Sequence, residues 1–210
     1  DVFNFKTKRY VDNTIGNSGS ITRTRESIYE NESSILDIGD EYVVEYEAKD
    51  YKGNVDYVNS YKIKEKYLDS YITRTLPDGM EVTYYDGDEK NYVNDDEKSL
   101  SEKYSYVIVT LEITNESNEK SNMTDICPTN IKIGYFDEDG TFKMYDYTRG
   151  SMSDDERAKG HVNLPIGSNS IITMCYVVPD ELLDKQLVIA GEITEYDKGA
   201  PKVPYFKVKI

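Results

Sequence analysis

The sequence predicts an all-β protein, a β-sandwich built from many short strands. The first observation is the segment Tyr104–Asn115, in which apolar residues alternate with more polar ones across Val107–Ile113. A period of two is typical of a strand with one buried face. The second observation is that Asn130–Phe142 and Leu164–Pro179 are β-rich and are punctuated by Gly, Asp or Pro. These patterns indicate a kind of fold and no particular chemistry.

Length and composition bound the organisation of the chain. A chain of 210 residues buries roughly 70% of its unfolded surface, so one sandwich is self-sufficient. We predict a β-sandwich domain at 35–210, preceded by an arm or edge hairpin at 1–34 that contains the turn cluster Gly16–Ser20. Since the chain starts with Asp1 and has no long apolar run or leader-like segment, we expect a soluble portion from which any leader has been removed.

The net charge is strongly negative, with 40 acidic and 25 basic residues and a formal charge of −15. Such a chain repels nucleic acid and anionic lipid surfaces, so we expect neither nucleic-acid binding nor direct membrane insertion. Acidic clusters lie at Asp86–Glu89, Asp95–Glu97 and Asp154–Glu156, between predicted strands. We interpret them as solvated loops, with calcium coordination as the alternative.

The first half of the domain contains two predicted strands and an insertion. Glu41–Ala48 alternates as a half-buried strand, and Tyr57–Thr75 is assigned to a strand by its aromatic and β-branched content, although its spacing also fits a helix. Leu76–Gly79 is a turn sequence, which makes Met80–Tyr85 the return strand of a hairpin. Asn94–Lys103 is predicted to be a short helix, because acidic residues come early in it and a lysine comes last.

The second half continues the strand pattern. Ile131–Tyr135 leads into a hairpin turn at Asp137–Gly140, from which Phe142–Tyr147 returns antiparallel, and Ser151–Gly160 is predicted to be an exposed crossover. Three further strands are predicted at Ile171–Val178, Leu187–Ile193 and Val203–Ile210. This spacing of strands and turns predicts an immunoglobulin-like Greek-key β-sandwich with an N-terminal extension and one inserted hairpin/helix region.

Four motifs in this order resemble a known family. They are a strand ending in Leu-x-Ile-x-Asn at Leu111–Asn115, an Asp-rich hairpin at Asp137–Gly140, a Pro-x-Gly turn at Pro165–Gly167, and a strand ending in Val-Pro at Val178 and Pro179. Together they resemble the telokin-like, immunoglobulin-type domain of extracellular lipoproteins of Gram-positive bacteria. The resemblance implies that the protein is secreted or lies at the cell surface. It allows a lipid anchor that has been removed from this chain, and it supplies no catalytic residues.

Residue types that carry catalysis or bind metals do not form a recognisable set. His161 is the one histidine and lies in a polar loop, where a surface role is expected. Gly16–Ser20 lacks the strand-to-helix elbow of a serine nucleophile. Two cysteines and one histidine do not make a zinc site, and nothing distinguishes one carboxylate pair as a glycosidase pair. We therefore predict no enzyme activity, no catalytic residues, no metal ligands and no cofactor.

The two cysteines allow two interpretations. A disulfide between Cys127 and Cys175 would close a loop of about 48 residues and contribute ~4 kcal/mol in the chain-entropy model. The alternative is two buried, unpaired thiols. If Met174 and Tyr176 face the core, Cys175 points away from it. The sequence leaves both interpretations open.

Tyrosine is abundant, with 20 residues against five phenylalanines and no tryptophan. These tyrosines are either strand filler and core or a recognition surface, because the ring is apolar while its hydroxyl forms hydrogen bonds. Our first hypothesis is a non-enzymatic module for binding, adhesion or structure at the cell envelope, with a protein or glycan partner. The ligand-binding candidates are Tyr84, Tyr85, Tyr92, Tyr145 and Tyr147.

Two alternatives belong to other functional classes. One is a carbohydrate-binding or calcium-dependent accessory domain, in which tyrosine stacks on sugar and acidic loops hold Ca²⁺. The other is a hydrolase that uses two carboxylates. The first predicts stabilisation by calcium or sugar, since a ligand that binds only the folded state stabilises it.

Overall fold

The structure is a computed structural model. It describes residues 9–12, 23–26, 35–80, 82, 99–126, 128, 131–138, 142–146, 148–153, 162–190 and 205–209. At 9–12, 23–26, 144–146 and 148–153 only the backbone is described.

The described residues form thirteen β-strands. In chain order they are β1 (Arg9–Asp12), β2 (Arg23–Glu26), β3 (Glu41–Tyr46), β4 (Tyr61–Thr73), β5 (Tyr104–Asn115), β6 (Asp125–Ile126), β7 (Lys132–Phe136), β8 (Phe142–Asp146), β9 (Thr148–Ser153), β10 (Val162–Asn163), β11 (Asn169–Pro179), β12 (Leu187–Ala190) and β13 (Tyr205–Lys207). A short 3-10 turn, Asp180–Leu182, follows β11.

Two main sheets build an immunoglobulin-like Greek-key sandwich. The five-stranded sheet has the order β3-β4-β5-β11-β9, and the four-stranded sheet has the order β13-β12-β7-β8. In the lettering of the immunoglobulin fold, β4, β5, β11 and β9 are strands A, B, E and D, while β13, β12 and β7 are G, F and C. β8 extends the second sheet beside β7, and β3 adds an outer strand next to β4. The predicted fold class is confirmed.

The main core lies between the two sheets. Each strand contributes alternate residues to it, as the period of two requires. The largest fully buried contributors are Tyr67, Tyr176, Phe206, Ile63, Leu111, Ile113, Ile126, Ile131 and Ile133. The Tyr176 hydroxyl donates a hydrogen bond of 3.0 Å to the carbonyl of Ile131, so this buried hydroxyl is satisfied.

The strands of the five-stranded sheet follow the sequence pattern closely. β5 has the predicted bounds, and β3 places Val44 in the core as its alternation requires. β4 begins at Tyr61 and not at Tyr57. The reason is local, because the Asp56 side chain accepts hydrogen bonds from the Val58 amide at 3.1 Å and the Asn59 amide group at 2.6 Å and so holds these residues in a turn.

The insertion between β4 and β5 differs from its prediction. The turn before Met80 is present, since the Met80 amide donates to the Pro77 carbonyl at 3.2 Å and Gly79 has φ +82°. Met80 itself lies outside any strand, and residues 83–85 fall outside the described residues. The predicted helix is wrong at its described end, because Ser99 pairs with Thr75 in an antiparallel bridge and residues 101–103 are not helical.

This insertion covers part of the outer face of the five-stranded sheet. Its apolar side chains pack on outward-facing residues of β5 and β11, and the resulting second core contains Leu76, Met80, Val82, Leu100, Tyr104, Tyr106, Ile108, Cys175 and Val177. At one end of it the Arg74 guanidinium donates to the carbonyls of Ser101 and Tyr104, each at 3.0 Å, and pairs with Asp180. The outer face of β5 is therefore dry at Tyr106 and Ile108. Farther along the same face Thr110, Glu112 and Thr114 are partly exposed, so the wetter face that the sequence indicates is present in this half of the strand.

In the second half, the predicted hairpin is confirmed by the antiparallel pairing of β7 with β8. The predicted crossover at Ser151–Gly160 is wrong for its first residues, because Ser151–Ser153 belong to β9, which pairs with β11. The last strand is shorter than predicted, but Phe206 and Val208 face the core and Lys207 and Lys209 are exposed, as expected.

An aromatic cluster covers the outer face of the four-stranded sheet. Phe136, Phe142 and Tyr205 pack with ring centroids 4.9–5.6 Å apart. Gly134 lies beneath it, where a Cβ atom would stand 2.3 Å from the Lys143 carbonyl oxygen and 2.7 Å from the Phe142 ring. Only glycine fits there without displacing β8.

At the N-terminal side, β1 and β2 form an antiparallel two-stranded sheet. The division of the chain at residue 34 stays a prediction. Leu36 forms a parallel bridge to Phe206, with hydrogen bonds of 2.9 Å to the Tyr205 carbonyl and 2.8 Å from the Lys207 amide. The chain entering the domain thus pairs with the outer edge of β13 at this point.

Candidate functional site

The tyrosines predicted to bind a ligand lie almost entirely outside the described residues. This applies to Tyr84, Tyr85, Tyr92 and Tyr147, and for Tyr145 the structure describes only the backbone, on β8. Their role stays a prediction. The acidic clusters Asp86–Glu89, Asp95–Glu97 and Asp154–Glu156 and the lone His161 also fall outside the described part of the chain.

The two cysteines were left open by the sequence. Cys175 is a buried free thiol, whereas Cys127 falls outside the described residues. Met174 and Tyr176 face the main core, so Cys175 points to the other side of β11, into the second core. Burial raises the pKa of the Cys175 thiol well above its ordinary value. These facts favour the interpretation of Cys175 as a small buried hydrophobe.

The described tyrosines are divided between buried and exposed positions. Within the described residues, the buried tyrosines are Tyr61, Tyr67, Tyr106, Tyr176 and Tyr205. The exposed ones are Tyr51, Tyr57 and Tyr71. Tyr51 is 92% exposed, far more than any other large hydrophobic residue described. Tyr51 and Tyr57 both lie in the connection between β3 and β4, residues 47–60, which we call the tyrosine loop.

Asp50 holds the tip of the tyrosine loop in one conformation. Its carboxylate accepts hydrogen bonds from the backbone amides of Lys52 at 2.8 Å and Asn54 at 2.9 Å, and from the Asn54 side chain at 3.0 Å. The Asn54 hydrogen bonds, chiefly the one from the side chain, hold the pKa of Asp50 below its usual value. Gly53, with φ +84°, supplies the left-handed residue that this turn requires. Tyr51 therefore stands on an ordered turn.

The base of the tyrosine loop is tied to the rest of the domain. The Ser60 hydroxyl donates to the Asp56 carbonyl at 2.6 Å and accepts from the Ala48 amide at 3.0 Å. The connection between β5 and β6 also holds the loop. Its Ser121 hydroxyl donates to the Ser60 carbonyl at 2.7 Å, and its Asn122 amide donates to the Val58 carbonyl at 2.9 Å. The position of the loop on the sandwich is thereby defined.

Each exposed ring of the tyrosine loop has a lysine beside it. The Lys52 ammonium lies 5.3 Å from the Tyr51 ring centroid, and the Lys120 ammonium lies 5.9 Å from that of Tyr57. Neither ammonium makes an ion pair with a described residue. On a chain with a net charge of −15, these are local positive charges beside apolar rings.

Other kinds of site are not formed by the residues that the structure describes. No group of three or more His, Cys, Asp or Glu side chains there could hold a metal ion. Nor does this part of the chain contain a helix with the length and apolar character of a membrane span.

Reasoning from the sequence missed the tyrosine loop, because Tyr57 was assigned to the following strand and Tyr51 was not singled out. A local pattern was available to find it. Asp50, Gly53 and Asn54 surround Tyr51, and Asp, Gly and Asn in this order are typical of a tight turn. A tyrosine within such a turn has no neighbouring strand to pack on.

Comparisons with known proteins add little to these observations. No protein-family model matches the chain, and no curated protein matches it. One solved structure to which the chain is similar is an uncharacterised β-sandwich protein from Clostridium difficile 630, at 13% sequence identity, with a TM-score of 0.41 and coverage of 86% of this chain and 99% of that chain. The assignment of this chain to the β-sandwiches rests on its own two sheets.

Proposed function

We propose that this chain is a non-enzymatic binding module of the cell envelope, secreted or anchored at the cell surface, which contacts a protein partner through the tyrosine loop. The observation that carries the proposal is Tyr51, a ring 92% exposed on a turn that Asp50 holds in place. A tyrosine fixed in water contributes little to folding, but its ring offers a large apolar area to a partner.

The order of the loop favours recognition of a protein surface. Association is weakened by the entropy lost when a flexible loop becomes ordered, and here the hydrogen bonds of Asp50 and Ser60 order the loop before any partner binds. Tyrosine is enriched among the residues that dominate protein interfaces, because it combines a rigid ring with a hydroxyl. Lys52 and Lys120 beside the rings lead us to expect carboxylates around the pocket of the partner.

The location at the cell envelope rests on the motifs at Leu111–Asn115, Asp137–Gly140, Pro165–Gly167 and Val178–Pro179, which resemble extracellular lipoprotein domains. The negative net charge of −15 disfavours anionic polymers as partners, because the whole chain repels them at long range. A protein partner is consistent with both.

The test is binding of the purified, fluorescently labelled chain to isolated cell envelopes of the source organism. We expect saturable binding that a Tyr51→Ala, Tyr57→Ala double variant weakens at least ~10-fold, the loss typical of interface anchor residues. Tyr71→Ala is the matched control, because Tyr71 is 43% exposed, close to the 47% of Tyr57, and lies outside the loop. This control should bind like the unaltered chain.

Pretreatment of the envelopes identifies the class of partner. Digestion of the envelope proteins with a protease should abolish binding. Digestion of the cell-wall glycan should not abolish it, because the labelled chain should stay bound to the envelope proteins that this digestion releases. Loss of binding only after glycan digestion would replace the protein partner with the carbohydrate-binding alternative. Normal binding by the double variant would refute the role of the tyrosine loop.

A further inference from the structure

Glu65 is a carboxylic acid inside the sandwich. It lies on β4 between Ile63 and Tyr67, on the strand face that points into the main core, and it is 0% exposed. Neither of its carboxyl oxygens has a hydrogen-bond partner among the described residues. It is also the one buried Asp, Glu, Lys or Arg in that part of the chain. A buried charge without a partner is strongly unfavourable, so the carboxyl is held as the neutral acid.

Among the described residues, no cation lies near Glu65 to stabilise its ionised form. Its cross-strand neighbours are Tyr42 on β3 and Ile113 on β5. Burial raises the pKa of Glu65 to about 8. The pKa of Tyr42 is raised too, first by burial and then by the negative charge of Glu65. Among the described side chains, the titratable groups that pack in the main core are Tyr42 and Tyr46 (β3), Tyr61 and Tyr67 (β4), Tyr176 (β11) and Tyr135 (β7).

Only one strand separates Glu65 from the edge of its sheet. β3 is the edge strand and pairs with β4 alone in that sheet, over six residues. The side chain of Tyr42, which faces Glu65, is only partly buried. Detachment of β3 is therefore the smallest rearrangement that would bring water to the Glu65 carboxyl, because the other neighbouring strand, β5, is the central strand of the sheet and pairs with a strand on each side.

We propose that Glu65 is a proton-controlled lock on the edge strand: with its carboxyl protonated, β3 stays paired with β4, and loss of the proton releases β3 and lets water reach the carboxylate. In this step the carboxylic acid of Glu65 becomes a carboxylate, and its proton passes to the solvent. β3 leads directly into the tyrosine loop, so its release would also loosen that loop, a consequence that rests on the proposed function.

The direction with pH follows from the two states. The open state has an ordinary glutamate pKa near ~4.3, and the closed state binds its proton up to a pH of about 8. Between these values, opening releases one proton and becomes about tenfold more favourable for each pH unit. At a pH below the pKa of the open state, β3 is held most firmly. Its pairing weakens as the pH rises between the two pKa values and weakens no further above the pKa of the closed state.

Hydrogen exchange of the full chain tests this. We expect the protection factors of the β3 amides, corrected for the intrinsic pH dependence of exchange, to fall about tenfold per pH unit between roughly 5 and 8. The amides of β11, which pairs with a strand on each side and does not pair with β3, should not follow this slope. Glu65→Gln is the matched variant, because it keeps the size and burial of the side chain and cannot ionise. Its β3 protection should be independent of pH.

A titration of the unaltered chain keeps the proposal testable if the variant does not fold. The ¹³C shift of the Glu65 side-chain carboxyl should move with a midpoint far above that of an ordinary glutamate. An ordinary midpoint would overturn the proposal. It would also be overturned if β3 kept constant protection across this pH range, if Glu65→Gln showed the same slope, or if β3 and β11 lost protection together. None of these outcomes depends on whether the tyrosine loop binds a partner.

Discussion

Asn115 offers a sharp test of how this sandwich is held together. It is the last residue of β5 and is fully buried. Its side-chain amide donates to the carbonyls of Met123 at 2.7 Å and Leu164 at 2.9 Å, while its side-chain oxygen accepts from the Ser117 amide at 3.0 Å. One side chain thus joins the end of a strand to the segments that precede β6 and β11.

The effect of Asn115→Ala can be worked out from these three bonds. The Leu164 carbonyl and the Ser117 amide would be left in buried surroundings, and each unsatisfied group costs ~1–3 kcal/mol. The bond to the Met123 carbonyl is only partly buried, so water can replace it. We expect the free energy of unfolding to fall by about 3 kcal/mol, which for a chain of this size lowers the midpoint of thermal unfolding by roughly 6–12 °C.

Urea and thermal unfolding followed by circular dichroism measure this change. The matched control is Asn118→Ala, which removes the same side chain at an exposed position where it accepts one hydrogen bond of 3.0 Å from the Lys120 amide. We expect that control to lose less than ~1 kcal/mol. If Asn115→Ala and Asn118→Ala have similar unfolding free energies, the buried amide does not hold these segments together and the reasoning fails.

Two further predictions concern buried positions of the sheets. Gly134→Ala should lower the free energy of unfolding by ~2–3 kcal/mol in urea titrations, because the added Cβ overlaps the Phe142 ring and the backbone of β8; an unchanged value would show that β8 can shift freely. In a Cys127→Ser background, Cys175 should react with a thiol reagent only when the chain is unfolded, because the thiol is buried and its pKa is raised. Rapid reaction of the folded chain would contradict its place in the second core.

Several strands could be predicted from the sequence because their pattern is local. β5 has the predicted bounds, and β11 and β13 show the expected alternation, since a period of two in side-chain polarity depends only on neighbouring residues. The hairpin between β7 and β8 was predicted from Asp and Gly at the turn, which are chosen by backbone conformation. These features need no knowledge of the rest of the chain.

The errors arose where distant segments decide the outcome. Ser99 and Leu100 were expected in a helix from charge placement, but Ser99 forms a bridge with Thr75 and the Leu100 amide donates to the Arg74 carbonyl. Ser151–Ser153 were expected in a crossover, but β11 provides a partner for them. In each case a weak local preference was overridden by hydrogen bonds to a segment far away in the sequence.

The candidate site shows the same division. Tyr51 lies in a turn that its neighbours Asp50 and Gly53 specify, so a closer reading of the sequence could have found the loop. Its anchoring through Ser121 and Asn122 comes from another connection and needed the structure. The same holds for Glu65, whose charge predicts an exposed residue although its register on β4 turns it into the core.

The sequence by itself determined the class of fold and the positions of most strands, because side-chain alternation and turn residues act over a few neighbouring positions. Only the tertiary structure decided which faces of those strands are dry, because burial is produced by segments far away in the chain. The insertion that covers Cys175 on the outer face of the sheet and the opposing sheet that encloses Glu65 are both of this kind.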